Sequence, residues 1–156
     1  MTDHLLLREV IEAGLPVFYE QQLDPEATQM AASAREREEF MAHWHNHVLG
    51  NERVIKKTIV FDGQVAGNMV SFEQFGEREV GYWLGKEFWG QGIARRVLAE
   101  FLNIEQTRPL YAHVAKHNIA SRRVLEKCGF VEAGLVVGTI HEDGIDDTQL
   151  MIMELV

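Results

Sequence analysis

Gly90-Gln91-Gly92, set between an aromatic strand and an amphipathic helix, is the stretch of this sequence best suited to holding an anion. Val80-Gly81-Tyr82-Trp83-Leu84-Gly85 reads as a strand, rich in aromatic and branched residues and closed by a glycine. Beyond Gly92, residues Ala94, Val97, Leu98, Phe101 and Leu102 recur at i, i+3, i+4, i+7 and i+8, the spacing of a helix face. A helix start leaves backbone N–H groups without intrahelical partners, and its dipole favours negative charge there. Glycines admit a phosphate close to the backbone, so the loop is a candidate pyrophosphate cradle, with a plain tight strand-to-helix turn as the simpler alternative. Two familiar phosphate loops do not fit. A Walker loop ends in Gly-Lys-Ser/Thr, a triplet the chain lacks. A dinucleotide fingerprint puts its glycines directly after a strand, with an acid closing the next one. Here Lys86 to Trp89 intervene, and the next strand, Leu110 to Val114, carries no acid.

A second run, Asn118-Ile119-Ala120-Ser121-Arg122-Arg123-Val124-Leu125-Glu126-Lys127-Cys128-Gly129-Phe130, reads as a capped helix, Asn118 at its start and Gly129 at its stop. Asn118, Ser121, Arg122 and Leu125 share one face, and an amide, a hydroxyl and a guanidinium together suit a polar ligand. His43 and His47 stand at i, i+4, the spacing zinc enzymes use on a helix. The residues between them are Trp44, His45 and Asn46, without the glutamate of the metalloprotease pattern. A solvated helical face beside a binding groove is the expected reading, and no metal is expected.

These residues need a scaffold, and the chain is long enough for one. Its 156 residues have the length of a single domain, expected over 1–156, with apolar content enough for a core. The net charge of −9 argues against an extended nucleic-acid footprint, and is compatible with a cationic or amine-bearing partner. One cysteine, Cys128, excludes an intramolecular disulfide or a multi-cysteine metal site. No leader-like stretch opens the sequence and no apolar run reaches membrane-spanning length, so a cytoplasmic protein without a membrane partner is expected.

The pattern begins with a strand at Leu5 to Arg8, then is helical from Glu12 to about Asn51, with breaks expected near Pro16 and Pro25. Asp24-Pro25-Glu26 is a helix start. Arg35-Glu36-Arg37-Glu38-Glu39 opens a further helix whose apolar side carries Phe40, Trp44 and Val48. From Val54 the period changes to that of strands. Thr58 to Phe61 and Gln64 to Phe72 flank Asp62-Gly63, a preferred two-residue hairpin turn. The strand from Arg78 to Leu84 completes an antiparallel meander that feeds the glycine loop. Strands at Phe130 to Ile140 and Thr148 to Leu155, joined through Glu142-Asp143-Gly144, close the chain. A mixed α/β fold is predicted, a central sheet with helices on both sides.

Taken in order, Tyr-Trp-Leu-Gly, then Trp-Gly-Gln-Gly-Ile-Ala opening a helix, a strand, and Asn-x-x-Ser…Glu-Lys-Cys-Gly-Phe resemble the GNAT superfamily of acyl-CoA-dependent N-acyltransferases. The wording is closest to its ribosomal-protein N-terminal acetyltransferase (RimJ/RimL-like) branch, and the element order matches from Leu5 to Leu155. The resemblance implies a mostly antiparallel twisted sheet of about seven strands, splayed between the fourth and fifth, and acetyl-CoA as co-substrate. The family phosphate loop runs Gln/Arg-x-x-Gly-x-Gly/Ala; Gly92 and Ala94 match, while Trp89 holds the Gln/Arg position, a swap usual in this branch. By the same resemblance, cofactor contacts fall to Tyr82, Trp83, Leu84, Trp89, Gly90, Gln91, Gly92, Ile93, Ala94, Arg95, Asn118, Ser121 and Arg122, with Arg123 a further candidate for the adenosine phosphate. Pantetheine would lie between the strand ends.

The implied chemistry is direct attack of a primary amine on the thioester in a ternary complex. The acceptor would be a protein N-terminus or a small cationic amine such as a polyamine, amino acid or aminoglycoside, and the protein a monomer or homodimer. A base must take a proton from the amine, and a backbone N–H of the splayed strand would stabilise the oxyanion. His113 and Glu79 compete for the role of base. Many relatives place an acidic tyrosine four residues before the Gly-Phe pair; Leu125 stands there, and Ser121 is the candidate substitute. A non-catalytic CoA-binding module of the same fold is the alternative function.

Overall fold

The computed structural model describes residues 4–24, 36–141 and 144–156, with backbone alone over 136–141 and 144–149. Seven strands form one sheet in the order β1-β2-β3-β4-β5-β7-β6: β1 Leu5–Glu9, β2 Ile55–Phe61, β3 Gln64–Gln74, β4 Glu77–Leu84, β5 Leu110–Ala115, β6 Val131–His141 and β7 Gly144–Leu155. Every neighbouring pair is antiparallel except β4 and β5. Four α-helices accompany the sheet among the described residues: α1 Leu15–Gln22, α2 Arg37–His43, α3 Ile93–Ile104 and α4 Ile119–Lys127. The expected mixed α/β architecture is present.

Side chains alternate across the sheet, so its two faces look onto two cores. On one face Met69, Val80, Leu84, Leu110, Ala112 and Val114 pack against Val97, Leu98 and Phe101 of α3 and Leu125 of α4. On the other, Val70 and Phe72 of β3 lie under Leu15 and Phe18 of α1, Phe40 of α2, and Trp44 and Val48 beyond it. Phe18 and Trp44 stack with ring centroids 5.2 Å apart.

Several boundaries differ from the sequence pattern, among them the start of β2 at Ile55 rather than Thr58 and the end of β3 at Gln74 rather than Phe72. Pro16 does not break a helix but stands in the first turn of α1, where its missing N–H has no intrahelical partner to lose. The helix bearing Phe40, Trp44 and Val48 widens after His43 into a π-turn over Trp44–Leu49. The closing strand begins at Gly144 rather than Thr148, because pairing with β6 extends to His141↔Gly144. The helix start expected at Pro25 lies outside the described residues.

The Asp62-Gly63 turn joins Phe61 to Gln64 as the sequence suggests. The next hairpin also turns in two residues, pairing Gln74 with Glu77, but places Phe75 at φ 54° with its ring 92% exposed. A bulky residue pays for positive φ and receives no burial in return. Phe75→Asn is therefore expected to stabilise the fold by about 1 kcal/mol, raising Tm by ~2–4 °C in a thermal melt; an unchanged or lower Tm would show that the ring makes a contact of value.

Candidate active site

The site begins where β4 and β5 part. Their parallel pairing consists of Arg78↔Leu110 and Glu79↔Tyr111 and then stops. Beyond it β4 stays with β3 as far as Leu84, while β5 stays with β7 as far as Ala115. The strand ends therefore diverge as the resemblance implied, and backbone groups facing across the gap have no ladder partner. Gly67 of β3 holds the far end of β4 in place by close approach: a Cβ there would stand 2.0 Å from the Trp83 carbonyl oxygen. Only glycine fits, and nothing in the local sequence pattern announces it.

A cavity of about 490 Å³ opens beside the diverging end of β4, between it, the start of α3 and the first turns of α4. Tyr82, Trp83 and Leu84 form one wall, Asn118, Ile119, Ala120, Ser121 and Val124 the other, and Trp89, Gly90, Gly92, Ile93, Ala94 and Arg95 the floor, with Phe88 and His117 between. His117 and the apolar wall of Phe88, Ile119, Ala120 and Val124 carried no motif, and only their nearness to Asn118 and the glycine loop could have pointed to them.

The floor is the N-terminus of α3. Gly92 is its N-cap at φ 75°, and a Cβ built on Gly90 or Gly92 meets no atom within 4 Å. No packing partner presses on these two glycines, so the cradle stays open to a ligand above the exposed N–H groups. Trp89 serves as a clasp: its indole N–H donates to the Leu84 carbonyl at 2.9 Å, tying the loop to the end of β4. Gln91 is outside the cavity lining and donates from its amide to the Glu87 carbonyl at 3.3 Å. The Trp83 indole N–H is buried without a hydrogen-bond partner.

On the opposite wall the Asn118 side chain accepts from the Ser121 N–H at 3.2 Å, fixing the first turn of α4. The Ser121 hydroxyl lies 2.7 Å from the Tyr82 hydroxyl across the gap. Burial pushes the Tyr82 phenol above its usual range, the Ser121 bond pulling it back only in part. Arg122, expected at a cofactor phosphate, is absent from the lining. Its guanidinium is bonded instead to Glu132 at 2.6 Å and to the Lys116 carbonyl at 3.2 Å. Leu125 is 2% exposed, part of the core beneath α4.

Glu79 and His113 meet on the other face of the sheet, the one covered by α1 and α2. His113 Nδ1 lies 3.2 Å from Glu79 Oε1, with the carboxylate side chain 5% exposed and the imidazole 30%. Burial raises the Glu79 carboxyl above 4.5, more than the His113 charge lowers it. Glu79 belongs to the last paired step of β4 and β5, so this acid and imidazole stand at the apex of the divergence. The two groups that competed for one role in the sequence thus form a single pair.

The remaining candidates lie elsewhere. His43 and His47 have ring centroids 5.7 Å apart, but no group of three or more His, Cys, Asp or Glu able to hold a metal occurs among the described residues. His45 Nδ1 is 3.4 Å from Glu12. Burial also pushes the Cys128 thiol up, and its sulfur lies 3.8 Å from the Arg95 carbonyl, a packing position. No helix among the described residues is long and apolar enough to cross a membrane.

A splayed parallel pair above a glycine-rich helix start is the arrangement that the resemblance to acyl-CoA-dependent N-acyltransferases implied. The acetyltransferase (GNAT) domain matches residues 4–131, and the chain belongs to this GNAT family. A curated relative, "Putative ribosomal N-acetyltransferase YdaF" of Bacillus subtilis (strain 168), is 33% identical over 103 residues. That match covers 57% of this chain and 55% of the relative, so it spans about half the relative's length. It agrees with the RimJ/RimL-like wording of the motifs. Among solved structures, spermidine N-acetyltransferase from Vibrio cholerae in complex with CoA and spermine superposes with a TM-score of 0.79 at 20% identity, covering 97% of this chain and 94% of that one. RimL, the ribosomal L7/L12 alpha-N-protein acetyltransferase, gives 0.75 at 20% identity over 97% and 90%. At these identities the structures establish the shared fold.

Proposed function

We propose that the chain is one N-acetyltransferase domain that moves acetyl from acetyl-CoA to a primary amine by direct transfer. The observation that carries this reading is the cavity beside the splayed end of β4, walled by α4 and floored by the open glycine cradle, with the Glu79–His113 pair at the apex of the divergence on the opposite sheet face. Bound acetyl-CoA supplies an activated acyl carbon. The chain does the rest. The N–H groups from Gly92 onward hold the pyrophosphate at the start of α3, where the helix dipole favours it. The apolar wall of Phe88, Ile119 and Val124 excludes water around the pantetheine arm, and the unpaired N–H groups of β4 stand ready for negative charge on the acyl oxygen. His113, oriented by Glu79, takes the proton of an amine arriving from the side of α1 and α2.

Acceptors named for structural neighbours, a ribosomal protein at its α-nitrogen and a polyamine, each present a primary amine. The net charge of −9 suits a cationic acceptor of either kind, encountered in the cytoplasm by a monomer or homodimer. Buried Leu125 at the family's tyrosine position favours the second reading, a CoA-binding module without turnover. Free-CoA release from acetyl-CoA, followed across N-terminal peptides, polyamines, amino acids and aminoglycosides, separates the two. Release with one amine class supports the enzyme; tight acetyl-CoA binding with no release for any amine supports the module. Gly92→Ala tests the cradle itself. A Cβ at φ 75° strains the N-cap by about 1–2 kcal/mol and intrudes where phosphate is held, so CoA affinity by calorimetry should fall at least ~10-fold. Unaltered affinity would move the phosphate site elsewhere.

A further inference from the structure

Leu125 has no proton to give, yet a phenol reaches the cavity from a different element. Tyr82 comes from β4, and its hydroxyl meets Ser121 of α4 at 2.7 Å, inside the wall that the pantetheine thiol must pass. Ser121 is not free to wander, since its own N–H is held by the Asn118 side chain. Side-chain alternation along β4 puts Tyr82 on the face of α3 and α4, opposite Glu79. The sheet therefore carries a proton-accepting pair on one face and a hydroxyl pair on the other, with the divergence of β4 and β5 between them.

We propose that Tyr82 is the proton source for the departing thiolate, delivering it through the Ser121 hydroxyl. The proposal rests on the acetyltransferase reading above and assigns the role left vacant at Leu125. A serine hydroxyl alone is a poor acid, but one that accepts from a phenol while its own proton faces sulfur is a conduit. The Tyr82 phenol carries its proton at physiological pH, and since burial disfavours its anion the donated proton must be restored at once. The balance closes without a further reactant. The amine nitrogen bonds to the acyl carbon and yields one proton to the base. The C–S bond breaks with its electron pair going to sulfur, which takes the Ser121 proton as Ser121 takes that of Tyr82. Water then returns a proton to Tyr82 and receives one from the base, leaving amide and thiol.

The test compares CoA with desulfo-CoA, in which hydrogen replaces the thiol, by calorimetry on the wild-type chain and on Tyr82→Phe, Ser121→Ala and the double variant. Turnover is followed as CoA release, and folding is confirmed by circular dichroism. The wild-type chain should prefer CoA by about tenfold, the worth of one hydrogen bond to sulfur, and Ser121→Ala should erase the preference. Each single variant should lose ~10²-fold in kcat with KM for acetyl-CoA unchanged. The double variant should be no slower than the slower single one, since the pair acts as a unit. Wild-type kcat in Tyr82→Phe, or losses that multiply in the double variant, would overturn the relay. Equal wild-type affinity for CoA and desulfo-CoA would overturn it too, with no variant needed. A wild-type chain that binds neither ligand overturns the acetyltransferase reading and the relay with it, an outcome distinct from failure of the relay alone.

Discussion

Replacing His113 with alanine is expected to lower kcat for amine acetylation by roughly 10²–10⁴-fold and to leave KM for acetyl-CoA where it was. The imidazole stands on the sheet face away from Tyr82 and Ser121, so its loss spares the cavity lining while removing the group proposed to take the amine proton. Glu79→Gln tests the same pair from its buried end. Burial raises the Glu79 carboxyl above 4.5, His113 lowering it by less. A carboxyl whose folded value is raised contributes stability below pH 4.5 and loses that contribution as pH rises through the folded value. At pH 7 Glu79→Gln should therefore melt no lower than the wild-type chain, although its kcat falls. The same shift places the acidic limb of the wild-type pH–rate profile above pH 4.5. Stopped assays of CoA release between pH 5 and about 9 read both effects, since the limb should move or vanish in Glu79→Gln. Full activity in both variants would place the base elsewhere on that face.

What could be read from the sequence is what neighbours along the chain decide. Asn118 and Gly129 bracket α4 because capping is a matter of three or four residues: the Asn118 amide meets the Ser121 N–H, and Phe130 N–H returns to the Leu125 carbonyl. The Asp62-Gly63 turn and the Gly92 helix start were legible for the same reason. The divergence of β4 and β5 was implied by resemblance alone, since no local signal says where a parallel pair stops. Everything that joins distant elements was illegible. Tyr82 and Ser121 are 39 residues apart, and their meeting depends on α4 packing over β4. Glu79 and His113 looked like rivals because the sequence does not state that β4 and β5 run in parallel with Glu79 opposite Tyr111. Gly67 resembles any strand glycine until the Trp83 carbonyl is brought against it. The π-turn at Trp44–Leu49 keeps the expected apolar residues inward, so the hydrophobic pattern gave no warning of it.

Glu105→Ala should destabilise the fold by about 3–5 kcal/mol, because it breaks a buried ion pair. Glu105 follows α3 and reaches under the sheet, its side chain 3% exposed. One oxygen accepts from the Ser71 hydroxyl at 2.6 Å and Arg78 Nε at 2.9 Å; the other accepts from the Thr107 N–H at 3.1 Å. Arg78 Nη2 also donates to the Ser71 carbonyl at 3.2 Å and hydroxyl at 3.1 Å, so β3, β4 and the end of α3 are laced together. Burial alone would raise this carboxyl, but the bonds from Ser71, Thr107 and Arg78 outweigh it and hold it at about 2. With the folded value depressed from 4.5, its contribution is complete above pH 4.5 and is lost as pH falls toward 2, a span worth roughly 3 kcal/mol. Removing the carboxylate strands the Arg78 guanidinium, 10% exposed, without its counter-charge. Urea denaturation should show a lower midpoint with an unchanged slope, and the gap from the wild-type chain should narrow as the pH drops below 4.5. A loss under ~1 kcal/mol, the worth of an exposed pair, would show that the network is wetter than its geometry. The consequence for catalysis follows from position. Arg78 is the first of the two residues pairing β4 with β5, directly before Glu79. The network therefore clamps the closed end of the divergence, and under the proposed function loosening it should cost activity through misplacement of Glu79 as well as through unfolding.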